Sequence, residues 1–124
     1  MGYQNNRVER RRFPRVKRQI PLKIRLDDYD LVGRTHDISS IGAYCTINKY
    51  IPPFSLISIV LLVPLRLHQT HRGSNRICNI RCQGVVVRTE ENPQNNKEYN
   101  IAIYFNRLRQ SDKTKLQEYV QQHL

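Results

Sequence analysis

The period of the apolar residues constrains this chain most. Ile20, Leu22, Ile24 and Leu26 alternate with Pro21, Lys23 and Arg25, and Tyr99, Ile101, Ile103 and Phe105 alternate again toward the other end. Successive side chains of a strand point to opposite faces, so a period of two marks strands with one buried face. Asp27, Asp28, Tyr29 and Asp30 read as a turn after the first strand. A second strand is expected from about Leu31 to Ile38, and a third from Ala43 to Asn48 after the break at Ser39, Ser40, Ile41 and Gly42. Pro52 and Pro53 mark a loop. Leu56 to Val63 reads as a fourth strand, apolar on both faces and ending at Pro64. The polar, basic run 66–76 reads as a hairpin tip. Ile77 to Arg88 is a long fifth strand in which Gly84 marks a bulge or a close backbone approach. Glu90 to Lys97 reads as a polar turn before the sixth strand.

The carboxy end changes period. Ser111 suits a helix N-cap with Asp112 in the first turn, and Leu116, Tyr119, Val120 and His123 fall at helical spacing. Six short strands and one terminal helix imply a mainly β fold, a six-stranded antiparallel barrel with a helix packed outside it. A length of 124 residues suits one compact domain able to bury a core without disulfides or metals.

Charge divides the chain. Lys and Arg number 21 against 10 Asp and Glu, a net of +11. Residues 1–25 hold nine of the basic residues (Arg7, Arg10, Arg11, Arg12, Arg15, Lys17, Arg18, Lys23 and Arg25) and one acid, Glu9. Residues 1–19 lack apolar periodicity and read as a mobile basic arm ahead of a barrel spanning 20–124. Such a chain attracts phosphates and other polyanions at long range. Cys45, Cys78 and Cys82 are odd in number and lie in apolar segments, which points to structural thiols and a reducing, cytoplasmic compartment. The amino end is polar rather than signal-like, and the longest apolar run, LISIVLLV, is too short for a transmembrane helix.

Two short motifs carry the chemistry: Arg11-x-x-x-Arg15 in the arm, and Asp37-x-Ser39-x-x-Gly42 at the corner between the second and third strands. Together and in this order they resemble the paired signature of PilZ domains, RxxxR and (D/N)xSxxG. The strand plan is similar to that family's split barrel with an amino-terminal arginine switch and a carboxy-terminal helix. The resemblance covers about residues 9–120. It departs at Ala102, where a glycine is common in the family. It implies binding of the bacterial second messenger cyclic di-GMP by Arg10, Arg11, Arg15, Asp37, Ser39 and Gly42. An arginine at position 10 is similar to family members that bind a stacked pair of ligands.

The residue chemistry fits that ligand. The guanidinium fork pairs with phosphate or with the O6/N7 edge of guanine, and its flat face stacks on a base. Asp37 can accept from guanine N–H groups or hold an arginine in place. Ser39 offers a hydroxyl, and Gly42 permits a tight corner and a close ligand approach. Arg88, at the end of VVVR, could reach the same side. Binding would then fold the arm over the barrel and change the surface offered to an effector protein or to a second copy of the chain. The resemblance implies a receptor with no catalysis and no cofactor.

Plainer readings stand beside these. The basic arm alone is a solvated charge run, Asp37 and Ser39 suit turn chemistry, and Gly42 serves backbone geometry. His36, Asp37 and Ser39 are not expected to build a triad, because adjacent strand residues face opposite ways. His68 and His71 lack a third metal ligand. A basic barrel that binds nucleic acid fits the charge, but the stacking aromatics are few: three Phe, no Trp, and tyrosines that lie mostly inside strands. A PilZ-like interaction module that binds no nucleotide is the other alternative.

Overall fold

The computed structural model describes residues 13–66 and 75–124. Six antiparallel strands close into a barrel: β1 (Pro21–Leu26), β2 (Tyr29–Ile38), β3 (Gly42–Ile47), β4 (Leu56–Arg66), β5 (Asn75–Asn92) and β6 (Asn95–Leu108), followed by helix α1 (Gln110–Gln122). The order around the barrel is β1-β2-β3-β6-β5-β4. The wall of β3 and β6 therefore stands opposite the wall of β1 and β4. The mainly β class and the six-strand plan read from the periodicity are those of the structure.

The alternating residues fill the interior as their period demands. Ile20, Leu22, Ile24, Ile101, Ile103 and Phe105 are buried together with Ile38, Ile47, Ile59, Leu61, Ile80 and Val86 in one cluster. β4 corrects the sequence reading, because it is buried on one face only. Ile57, Ile59, Leu61, Val63 and Leu65 point inward while Leu56 and Leu62 are exposed. β4 also continues through Pro64 to Arg66. It pairs with β1 only over Ser58–Leu61, so Pro64 has β5 alone as a neighbour, where its missing N–H is tolerated.

The β4–β5 hairpin thus projects past β1 and β6, whose pairing with it ends at Leu61 and Cys82. α1 packs on this projection. Its Leu116, Tyr119 and Val120 join the hydrophobic cluster as the helix packs against β4 and β5. The side-chain amide of Gln122 accepts from the Arg66 N–H at 3.2 Å and donates to the Arg66 carbonyl at 2.9 Å, which covers the end of the exposed strand edge. The helix starts at Gln110 with Arg109 as N-cap, so Ser111 lies inside the first turn and is not the cap. Asp112 sits in that first turn, where a carboxylate favours the helix N-terminus.

Turns are tighter than the composition suggests. β1 and β2 are joined by Asp27 and Asp28 alone, with Asp27 at φ 41°, a left-handed conformation that Asp tolerates. β5 and β6 run through most of the polar segment 90–97 and turn at Pro93 and Gln94. Gly84 combines both readings of it: the β5–β6 register shifts beside it, and a Cβ there would stand 2.6 Å from the Ile103 side chain. The connection 67–74, with His68 and His71, lies outside the described residues.

The end of the basic arm is bound to the barrel. Val16 is 5% exposed and exchanges two backbone hydrogen bonds with Ile38, at 2.9 and 3.0 Å. Buried Thr35 fixes the next turn of chain. Its hydroxyl donates to the Arg18 carbonyl at 2.6 Å and accepts from the Ile20 N–H at 2.8 Å.

Candidate ligand-binding site

The two sequence motifs meet on the outer face of β2 and β3. Arg15 Nη1 donates to Asp37 Oδ1 at 2.6 Å, across 22 positions of sequence. Val16 sets this contact from one side, because its pairing with Ile38 lays Arg15 beside the last turn of β2.

A β-bulge sets it from the other. In β2, Leu31, Gly33 and Thr35 point inward, so strict alternation would send Asp37 into the core. The β2–β3 register instead steps from Thr35↔Cys45 to Asp37↔Tyr44, which makes His36 an extra residue. His36 and Asp37 both face outward, and Ile38 returns to the core. Adjacent residues here share a face, contrary to the expectation that they oppose. No triad results: Ser39 is fully buried, and the His36 Nε2 contacts the hydroxyl of Thr46.

β5 uses the same device. From Cys78 to Val86 its even-numbered residues are buried or half-buried, and then the register steps from Val86↔Ile103 to Arg88↔Ala102 with Val87 extra. Arg88 thereby reaches the outer face. Cross-strand pairing places Asp37, Tyr44, Ala102 and Arg88 in one row across β2, β3, β6 and β5. The Arg88 guanidinium stands 5.8 Å from the centre of the Tyr44 ring, and its Nε contacts Glu90 Oε1 at 2.7 Å. Bulges of this kind re-aim side chains next to functional sites. The outcome is a face with two guanidinium groups, two carboxylates and an aromatic ring, all at least partly open to solvent.

The remaining motif residues work on the corner. The Ser39 N–H donates to the Gly42 carbonyl at 2.9 Å, and the Ser39 hydroxyl accepts from the Ile41 N–H at 3.2 Å. Such turn chemistry is the plain reading of a buried Ser here. At Gly42 a Cβ would stand 2.4 Å from the Ile103 carbonyl oxygen, so glycine lets β3 approach β6. Arg10 and Arg11 lie outside the described residues. Burial, and secondarily the Asp37 charge, pushes the Cys45 thiol well above its ordinary value beneath this face. Among the described residues no three His, Cys, Asp or Glu side chains gather as a metal cluster, and no helix is long and apolar enough to cross a membrane.

By its place in the alternation Tyr44 is an ordinary strand residue, and only the bulged register shows it beside Asp37 and in the row with Arg88. The signal available was the Asp-x-Ser motif: a carboxylate where the period of two demands an apolar side chain.

The PilZ domain family profile matches residues 9–122. Among solved structures, the Bacillus subtilis inhibitor of motility (MotI/DgrA) is similar with a TM-score of 0.71 and 14% identity, covering 90% of this chain and 50% of that one. The chain thus spans half the length of that protein. The PilZ domain with c-di-GMP of YcgR from Escherichia coli is similar with a TM-score of 0.58 and 14% identity, covering 92% of this chain and 91% of that one. No curated protein sequence matches.

Proposed function

The chain belongs to the PilZ domain family, and from that premise we propose that it is a bacterial cytoplasmic receptor for cyclic di-GMP, with its site on the outer face around Asp37. The observation that carries this reading is the ion pair between Arg15 and Asp37, which joins the two motifs at one place. Cyclic di-GMP brings two phosphates and two guanines in one ring. Arg11 and Arg15 are the phosphate and guanine clamps, and Arg10 adds a third cation. Asp37 accepts from the guanine N–H groups, which adenine does not match. Tyr44 and Arg88 supply a ring and a planar cation for stacking, in register with Asp37.

Opening the Arg15–Asp37 pair costs little, because exposed ion pairs contribute about 1 kcal/mol or less. Arg15 stays within reach while Val16 holds the chain against Ile38. The arm ahead of it then closes over the ligand, and the changed surface is read by an effector or a second copy. Ser39 and Gly42 support this site through the corner geometry and present its backbone.

Titration calorimetry tests the proposal. The parent chain binds cyclic di-GMP saturably, and Arg15→Ala and Asp37→Ala each weaken binding at least tenfold, as expected for a lost charge-assisted contact of about 1.5–3 kcal/mol. Absence of heat with the folded parent overturns the receptor. Binding of a single-stranded oligonucleotide that Asp37→Ala leaves unchanged supports a nucleic-acid barrel instead.

A further inference from the structure

On the wall opposite the candidate site, the outer faces of β1, β2, β4 and β5 enclose a shallow groove of about 550 Å³. Its floor is apolar where a solvated barrel wall is ordinarily polar. Val32 is 72% exposed, Leu62 is 39% exposed, and Val60 lies half-buried between them. Its edges are cationic. Cross-strand pairing sets Val32, Lys23, Val60 and Arg81 in a single row over β2, β1, β4 and β5, so apolar and basic side chains alternate. Arg25 stands in the next row. The one acid of the lining, Asp30, is held by Arg25 at 3.1 Å and by Lys23 at 3.9 Å. Arg81 has no carboxylate partner among the described residues.

We propose that this groove docks an acidic amphipathic helix of a partner protein. At the centre of the groove, β1 over Leu22–Arg25 and β4 over Ser58–Leu61 are paired on both sides, so a partner seated across Lys23 and Val60 engages through side chains. A helix with an apolar stripe at i, i+3, i+4 and i+7 covers Val32, Val60 and Leu62, and carboxylates flanking that stripe meet Lys23, Arg25 and Arg81. Nucleic acid fits less well, because the floor offers no aromatic ring for base stacking. A flat lipid surface does not follow a concave groove. Because β1 and β4 oppose β3 and β6, the partner and a ligand at Asp37 can be held together. The groove does not depend on what binds at Asp37.

The test is an NMR titration of the isotope-labelled chain with a synthetic peptide of about 18 residues, leucine on one helical stripe and glutamate elsewhere. A control peptide has the same composition in scrambled order. The patterned peptide is expected to bind saturably, with shifts centred on Val32, Val60, Leu62 and Arg81, at least tenfold tighter than the scrambled one. Val32→Glu and Arg81→Glu, both at exposed positions that leave the barrel folded, each weaken it at least fivefold. Equal affinity for the two peptides, or shifts centred on the β3–β6 wall, overturns the proposal. So does an oligonucleotide or an anionic vesicle that perturbs the groove residues more strongly than the patterned peptide.

Discussion

Single residues carry sharply different burdens in this barrel. Gly42 is a backbone requirement: its missing side chain leaves room for the Ile103 carbonyl, 2.4 Å from where a Cβ would stand. Backbone on both sides cannot rotate away as a side chain can. Gly42→Ala is therefore expected to destabilise the fold by about 2–3 kcal/mol, at the upper end of overpacking costs, measured by chemical denaturation. An unchanged midpoint would assign Gly42 to ligand approach instead. His123 reports on a different contact. Its ring packs tilted against that of Tyr119, with centroids 4.5 Å apart, and burial first, then Arg18 and Arg66, hold its pKa below the usual 6.5. A histidine kept neutral in the folded state lends stability that is complete above its ordinary pKa. That stability is lost as pH falls from there through the lower folded value. Arg18→Ala removes one of the depressing charges, so the ring titration of His123 followed by NMR moves up, and stability becomes less sensitive to pH below 6.5. A fixed midpoint would mean that the arm does not reach the helix end.

At the scale of elements, the two bulges decide which charges reach solvent. Deleting Val87, the extra residue, makes Val86↔Ile103 and Arg88↔Ala102 successive pairs, so β5 alternates strictly and Arg88 stays on the outer face. Cyclic di-GMP affinity is expected to be kept in this variant, whereas Arg88→Ala, with circular dichroism retaining the barrel signature, lowers it at least tenfold, as for a lost charge-assisted contact of about 1.5–3 kcal/mol. Equal affinity in Arg88→Ala removes Arg88 from the site. The same bulges explain which parts of the molecule were legible in the sequence. β1, β3 and the middle of β6 follow a clean period of two, so the core residues Ile24, Cys45 and Ile101 can be read directly. Asp37 cannot be placed that way, since its parity is that of inward Leu31 and Thr35. It was recognisable through its motif and not through periodicity. Tyr44 joins the site through register, a non-local property with no local trace, while Arg88 is anticipated at the end of VVVR and only the register sets it in the row with Tyr44 and Asp37. Leu56 and Leu62 misled in the opposite direction, because an apolar residue on an outer wall looks like a buried one. The strand ends in 90–97 were hidden by polar side chains that face solvent on both sides of a tight turn.

For the molecule as a whole, the net charge of +11 and the row through Asp37 make separable predictions. Long-range attraction acts on any polyanion, and it fades as salt screens it. A single-stranded oligonucleotide bound through many phosphates releases many counterions, so its affinity falls with a log–log slope of roughly −0.7 per phosphate contacted. Cyclic di-GMP has only two phosphates, and in the proposed site Asp37, Tyr44 and Arg88 would meet its bases through short contacts that added salt does not screen away. Between low and moderate salt, its binding constant is therefore expected to follow a slope no steeper than about −2. Asp37→Ala should lower the affinity at every salt concentration without changing that slope, since a carboxylate that reads a guanine edge releases no phosphate counterion. Calorimetry across a salt series measures both quantities. A steep slope for cyclic di-GMP, or an Asp37→Ala variant that binds it more tightly than the parent, would show that unspecific charge holds the ligand and that the bulged carboxylate only repels it.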